Sequence, residues 1–313
     1  MLGKTANGLY WMYRYLERAE NTSRLVETGQ RIALTRLDSP DDEWVSVMQT
    51  AGVATAYKKH HDVVTKETAI DWMLRAKENP SSVLSVISET RQNARMVRTA
   101  LTHDVWEAVN GCYMKVKEAL ARRVNERDLP AVIDLIKERT ALVRGTTQGT
   151  MLRNDIFNFA RIGTYLERAD NISRILDVKY YVLLPSVLSV GSSIDNVQWE
   201  TILRSVSARG GFRMVHGNQA TPRDIAQFLI LDRRMPRSLK FSILKIRDNM
   251  EYLAADYGVR HASHELVGRL VDSFMSQDID DIFDYGLHEY LQNLLAALGD
   301  LGRQIEVDYR FYE

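Results

Sequence analysis

Apolar positions recur at three- and four-residue spacing along nearly the whole chain, and no stretch sustains the two-residue alternation of a half-buried strand. The spacing predicts helices over 5–36, 42–58, 66–77, 81–101, 104–126 and 129–144, then over 152–182, 196–208, 222–230, 237–256, 261–276 and 279–309. Thr5, Asp41, Ser81, Asn154 or Asp155, and Thr221 stand where helices should start, with side-chain oxygens able to accept from free backbone N–H groups. Pro40, Pro130 and Pro222 suit first turns, while Pro80 and Pro236 mark breaks between helices. The expected fold class is all-α.

The pattern also repeats. Tyr15-Leu16-Glu17-Arg18-Ala19-Glu20-Asn21 returns 150 residues later as Tyr165-Leu166-Glu167-Arg168-Ala169-Asp170-Asn171, and Ser23-Arg24 returns as Ser173-Arg174. Pro80, Ser82, Ile87, Arg91 and Asn93 recur 156 residues on as Pro236, Ser238, Ile243, Arg247 and Asn249. Trp44 likewise finds Trp199, and Trp72 finds Phe228. This order reads as a tandem duplication whose unit is far longer than a solenoid repeat. It predicts a first helical half over 1–149 and a second over 150–313, joined near Gly145 to Gly149. That junction is too short for a free linker, so the expectation is one continuous, internally duplicated multi-helix bundle with pseudo-twofold related halves.

On a helical wheel the first copy of the motif places Leu9, Met12, Leu16, Ala19, Ser23 and Val26 on one stripe. Arg14, Glu17, Arg18, Asn21 and Arg24 fall on the opposite arc, joined by Tyr10, Tyr13 and Glu20. Alone, that arc would be a solvated face. In the second copy the same arc also carries Ile156, Phe157, Ala160, Gly163, Ile175 and Val178, so the helix is apolar nearly all round and should be buried. Charges taken from water must then pair with each other, with Asn or with a ligand. Two readings stay open: interhelical ion pairs that fix the register of the copies, or a binding site. In the second, Arg18, Arg24, Arg168 and Arg174 hold carboxylate or phosphate, and Glu17, Glu167, Asn21 and Asn171 orient the ligand or take amine hydrogens.

Composition narrows the classes. Lys plus Arg equals Asp plus Glu at 41 each, which removes the usual drive toward nucleic acid or anionic lipid. Cys112 stands alone, excluding an internal disulfide and multi-cysteine metal sites, so a cytoplasmic setting is expected. No run of 18 apolar residues occurs; the nearest, Val178 to Val190, is broken by Lys179, Tyr180, Tyr181 and Pro185. Glu17 with Glu20 and Glu167 with Asp170 suggest di-metal carboxylates, but no histidine sits three residues after a repeated Glu, and adjacent Arg opposes a dication. His60-His61 and His261 with His264 fit surface or helix-end roles better than metal. No nucleophile elbow, Walker loop or dinucleotide fingerprint appears, and neither metal nor cofactor is expected. Arg209-Gly210-Gly211-Phe212-Arg213 reads as a turn with a basic flank, and the five tryptophans as core or helix-interface anchors.

The opening Met1-Leu2-Gly3-Lys4-Thr5-Ala6-Asn7-Gly8-Leu9-Tyr10-Trp11, the two Tyr-Leu-Glu-Arg-Ala motifs, Thr150-Met151 with Arg153, and Leu231-Asp232 leading to Met235-Pro236-Arg237-Ser238 together resemble the bacterial alpha-E family, a helical domain of unknown function. The resemblance covers the whole chain. It implies an all-helical protein named for its repeated Glu-Arg, encoded beside ATP-grasp amidoligase-like and transglutaminase-like proteins, in some clusters with a proteasome-related peptidase. Such company implies a pathway that makes, modifies or removes an amide-linked peptide. The chain would then be an accessory, non-catalytic protein presenting a peptide or amino-acid-like ligand to the ligase, or binding the ligase itself. An enzyme using Glu17 or Glu167 as a buried general base and a pure scaffold are the alternatives.

Overall fold

Leu9, Met12, Leu16, Ala19, Ser23 and Val26, the predicted stripe of the first helix, are all buried in α1 (Gly3–Ala33). Removing that face from water is what holds the helix to its neighbours. The computed structural model describes residues 1–33, 40–182, 193–217 and 221–312, and among them it is all-helical, with no strand. The chain forms two compact units, Met1–Thr164 with Tyr309–Glu313, and Tyr165–Asp308.

The first unit continues with α2 (Pro40–Thr50), α3 (Ala54–Tyr57), α4 (Lys66–Leu74), α5 (Val83–Met96), a 3-10 turn (Arg98–Ala100), α6 (His103–Ala119) and α7 (Leu129–Thr150), and takes in the start of α8 (Asp155–Val182). Helix α1 packs along α5 and α7, α6 lies against α5 and α7, and α2 and α4 also pack on α1. Where α8 crosses α1, a Cβ on Gly163 would sit 2.3 Å from the Tyr10 carbonyl oxygen, so only glycine permits the approach.

The second unit holds the rest of α8, then α9 (Ser193–Ser205), α10 (Arg209–His216), α11 (Pro222–Leu231), α12 (Leu239–Tyr257), α13 (Ala262–Ser276), α14 (Ile279–Tyr285) and α15 (Leu287–Asp308). Helix α12 packs on α11 and α13, α13 on α15, α9 on α10 and α11, and α14 on α11 and α15.

Local chemistry fixes most boundaries. Thr221 caps α11 through a capping box and Pro222 sits in its first turn, as predicted. Asn154 accepts from the Phe157 N–H at 3.4 Å at the start of α8. Ser82, not Ser81, caps α5, and α1 begins at Gly3, which leaves Thr5 inside the first turn. The span predicted as one helix over 42–58 divides at Gly52 and that over 279–309 at Gly286, where φ is +70° and +107°. Two stretches read as non-helical are helical. Helix α7 runs through Gly145 and Gly149, because Thr140, Val143 and Thr147 form a buried stripe that outweighs about 1 kcal/mol of glycine cost at each position. Arg209–Arg213 forms α10 because Phe212 is buried. The side chain of Asp41 and residues 183–190 of the apolar stretch lie outside the described residues; within them, no helix is long and apolar enough to cross a membrane.

Several local structures of the first unit recur in the second. Thr65 builds a capping box on α4 as Thr221 does on α11, and Ser82 caps α5 as Ser238 caps α12. Asn93 donates to the Glu89 carbonyl at 2.9 Å, and Asn249 to that of Lys245 at 2.6 Å. Tyr57 stacks on His61 at 4.3 Å with Trp72 edge-on to it, and Phe212 stacks on His216 at 4.7 Å with Phe228 edge-on. His61 thus has a counterpart in His216, which the sequence pattern alone had not suggested.

Candidate functional site

Helix α1 carries its charged arc inward. Glu17 is 1% exposed, Glu20 0% and Asn21 4%, with Tyr10 and Tyr13 buried beside them. Arg24, one turn after Glu20, lays its Nε and a terminal nitrogen on one Glu20 oxygen at 3.0 and 2.7 Å. Arg144 of α7 takes the other oxygen and lies 3.7 Å from Glu17, and the Thr140 hydroxyl approaches Glu20 at 3.4 Å. Two guanidinium groups on one buried carboxylate meet the requirement that a desolvated charge be paired and hydrogen-bonded. Arg18 is half-buried, its guanidinium 5.7 Å from the Tyr15 ring centre.

The second motif repeats part of this geometry. Glu167 and Arg168 are buried, at 4% and 8% exposure. Arg168 donates to the Pro236 carbonyl at 3.1 Å and lies over the Tyr165 ring. Arg174, at the same i, i+4 spacing as Arg24 from Glu20, forks onto both Asp170 oxygens at 2.8 and 3.1 Å, where Arg24 places both nitrogens on one Glu20 oxygen. Asn171 is half-buried.

One turn further along, the two helices again make matching attachments. Glu27 of α1 receives Lys137 of α7 at 3.0 Å, and Asp177 of α8 receives His288 and Gln292 of α15 at 2.5 and 2.7 Å. Burial pushes the Glu27 carboxyl up, but Lys137 and Arg31 more than offset it and hold it below the usual carboxylate range.

Sequence reasoning named the motif arginines but missed Arg144 and the central place of Glu20 and Asp170. The only available signal was that Glu20 and Asp170 share the repeat with Arg24 and Arg174 at i, i+4 spacing. Burial also separates the repeated Glu-Arg pairs from two others in the chain. The side chains of Glu126 and Glu138, each followed by Arg, are 63% and 73% exposed.

His264 is fully committed. Its Nδ1 accepts from the His261 N–H at 2.9 Å, which leaves Nε2 as the donor to the Met250 carbonyl at 3.0 Å. With both ring nitrogens occupied it serves as a helix-end anchor of α13, and among the described residues no group of three or more His, Cys, Asp or Glu could hold a metal.

The repeated Glu-Arg pairs, Glu17-Arg18 and Glu167-Arg168, are the motif that points to a family. A family model described as "a predicted alpha-helical domain with a conserved ER motif" matches residues 1–309. The chain belongs to the Alpha-E family. An uncharacterized protein of Mycobacterium bovis is 22% identical over 94% of this Alpha-E chain, and one of Mycobacterium tuberculosis is 21% identical over the same share. The aligned region is 35% of each relative, so the chain spans about a third of the length of the curated relatives it matches. No solved structure matches it.

Proposed function

We propose that this Alpha-E chain is an accessory, non-catalytic module of a cytoplasmic pathway that makes or modifies an amide-linked peptide. It would work beside ATP-grasp amidoligase-like and transglutaminase-like proteins, binding a peptide or amino-acid-like group or the ligase itself. The observation that carries the reading is the double guanidinium grip on Glu20. A carboxylate spent on Arg24 and Arg144 is poorly placed to act as a general base, and Arg144 also stands 3.7 Å from Glu17, one of the two carboxylates the catalytic alternative would use.

The proposal extends to the architecture: two copies of one helical unit related by a pseudo-twofold axis. The paired caps, the Tyr57 and Phe212 clusters and the i, i+4 pairs Arg24–Glu20 and Arg174–Asp170 support it.

A second reading, in which the Glu-Arg motifs are structural ion pairs of a scaffold, draws on the same grip on Glu20. Co-expression with an ATP-grasp amidoligase-like protein separates the two. Loss of ligase-dependent product by Arg18→Gln or Arg168→Gln, with unfolding unchanged, supports recognition. Parallel loss of stability and product assigns the motifs to the scaffold. Wild-type product in both variants overturns the recognition role.

A further inference from the structure

The first turn of α4 and the connection between α6 and α7 enclose a cleft of about 320 Å³ in the first unit. That volume is at the small end of ligand pockets, which run from roughly 300 to 1,000 Å³. Ile70 and Val124 give it an apolar wall backed by the buried Leu129, while Lys66, Glu67, Arg123 and Glu126 put two charges of each sign around it. Lys66 and Glu126 pair with each other. The other two are less tightly held. Among the described residues Arg123 pairs with Asp71 at a long 3.7 Å, and Asp71 is already held by Arg75 at 2.9 Å. Glu67 lies exposed in the first turn of α4, with no ion-pair partner among the described residues.

This lining selects by charge. An inorganic anion would face two carboxylates, and a metal ion two cations. A ligand carrying both signs meets Glu67 and Arg123 at once, and its apolar part covers Ile70 and Val124. We propose that the cleft binds a zwitterionic amino acid or dipeptide with an apolar side chain, its carboxylate on Arg123 and its ammonium on Glu67. The assignment stands on the lining of the cleft, remote in sequence from both Glu-Arg motifs, and does not need the pathway reading.

Calorimetric titration of the full chain with alanyl-leucine, its N-acetyl form and its C-terminal amide tests it. Saturable binding is expected for the free dipeptide, weakened about tenfold by removing either terminal charge. Glu67→Gln should weaken the free dipeptide about tenfold and leave the N-acetyl form unaffected, and Arg123→Gln should do the same with respect to the amide. Both side chains are exposed, so unchanged melting curves will show that the variants fold. Absence of saturable binding, equal affinity for all three probes, unaltered binding by both variants, or displacement by inorganic phosphate overturns the proposal. Those failures would leave ligase-dependent product untouched, which keeps them distinct from failure of the pathway reading.

Discussion

Arg144 on α7 and Glu20 on α1 form an ion pair across 124 residues of sequence, with Glu20 wholly removed from solvent and Arg144 about one quarter exposed. The pair ties the motif helix α1 to α7, the helix that precedes α8. Truncating one partner leaves the other charge under-compensated in a desolvated place, which costs more than the net worth of the pair. Arg144→Met is therefore expected to lower the unfolding free energy by about 2 kcal/mol, since Arg24 still holds one Glu20 oxygen. Adding Glu20→Gln should recover part of that loss, because a neutral amide is buried without needing the second guanidinium. Urea unfolding of the four proteins measures the coupling, and strictly additive losses would sink the interpretation.

Glycines at two helical positions should answer oppositely to the same substitution. Gly163→Ala drives a methyl group into the Tyr10 carbonyl oxygen, a backbone atom that cannot rotate away, and is expected to cost about 2–3 kcal/mol. Gly145 lies in α7 with nothing within 4 Å of the added Cβ. Gly145→Ala should stabilise by about 0.5–1 kcal/mol through the helix preference for alanine. Thermal melts of the two variants check the contrast; a tolerated Gly163→Ala would mean that α1 and α8 cross less closely than described.

Cys112 is 2% exposed on α6, and burial pushes its thiol up to about 12. Only the thiolate reacts with a disulfide reagent, so the folded protein should show almost no reactive thiol at pH 8. One equivalent should appear on unfolding in guanidinium. Prompt reaction of the native protein would show that α6 opens readily.

How far the sequence disclosed this arrangement depends on the range of the interaction. The stripe from Leu9 to Val26 was legible because helical periodicity is a local signal, and burial of the second motif helix followed from its apolar residues on all sides. Glycine misled twice. Gly145 and Gly149 signalled a break and Gly210-Gly211 a turn, yet the buried stripe through Thr147 and the anchoring of Phe212 keep both stretches helical. Tertiary packing overrode propensity there. Arg144 could not have been chosen from the chain alone, because nothing local distinguishes it from Arg139 or Arg153; only the packing of α7 on α1 brings it to Glu20. For His264 the sequence favoured a surface or helix-end role, and its two hydrogen bonds place it at the start of α13 with both ring nitrogens in use.

The Glu27–Lys137 contact gives stability a defined dependence on pH. For Lys137, burial works against the charge, but Asp134 and Glu27 outweigh it and hold the amine above the usual lysine range. A carboxyl depressed in the folded state, as at Glu27, stabilises the fold above its unfolded value and loses that contribution as pH falls through the depressed one. An amine raised in the folded state contributes fully below its unfolded value and loses its share as pH climbs through the raised one. The contact therefore supports the fold across the neutral range and fades at both extremes. Replacing Lys137 with Met should shift Glu27 titration toward higher pH, leaving Arg31 as its remaining cation. The variant should start less stable at neutral pH and lose less on acidification, since part of what acid removes is already gone. Carboxyl-detected NMR titration of Glu27, with urea unfolding at neutral and acid pH, measures both effects. A Glu27 titration unmoved by Lys137→Met would break the link between this contact and the pH dependence.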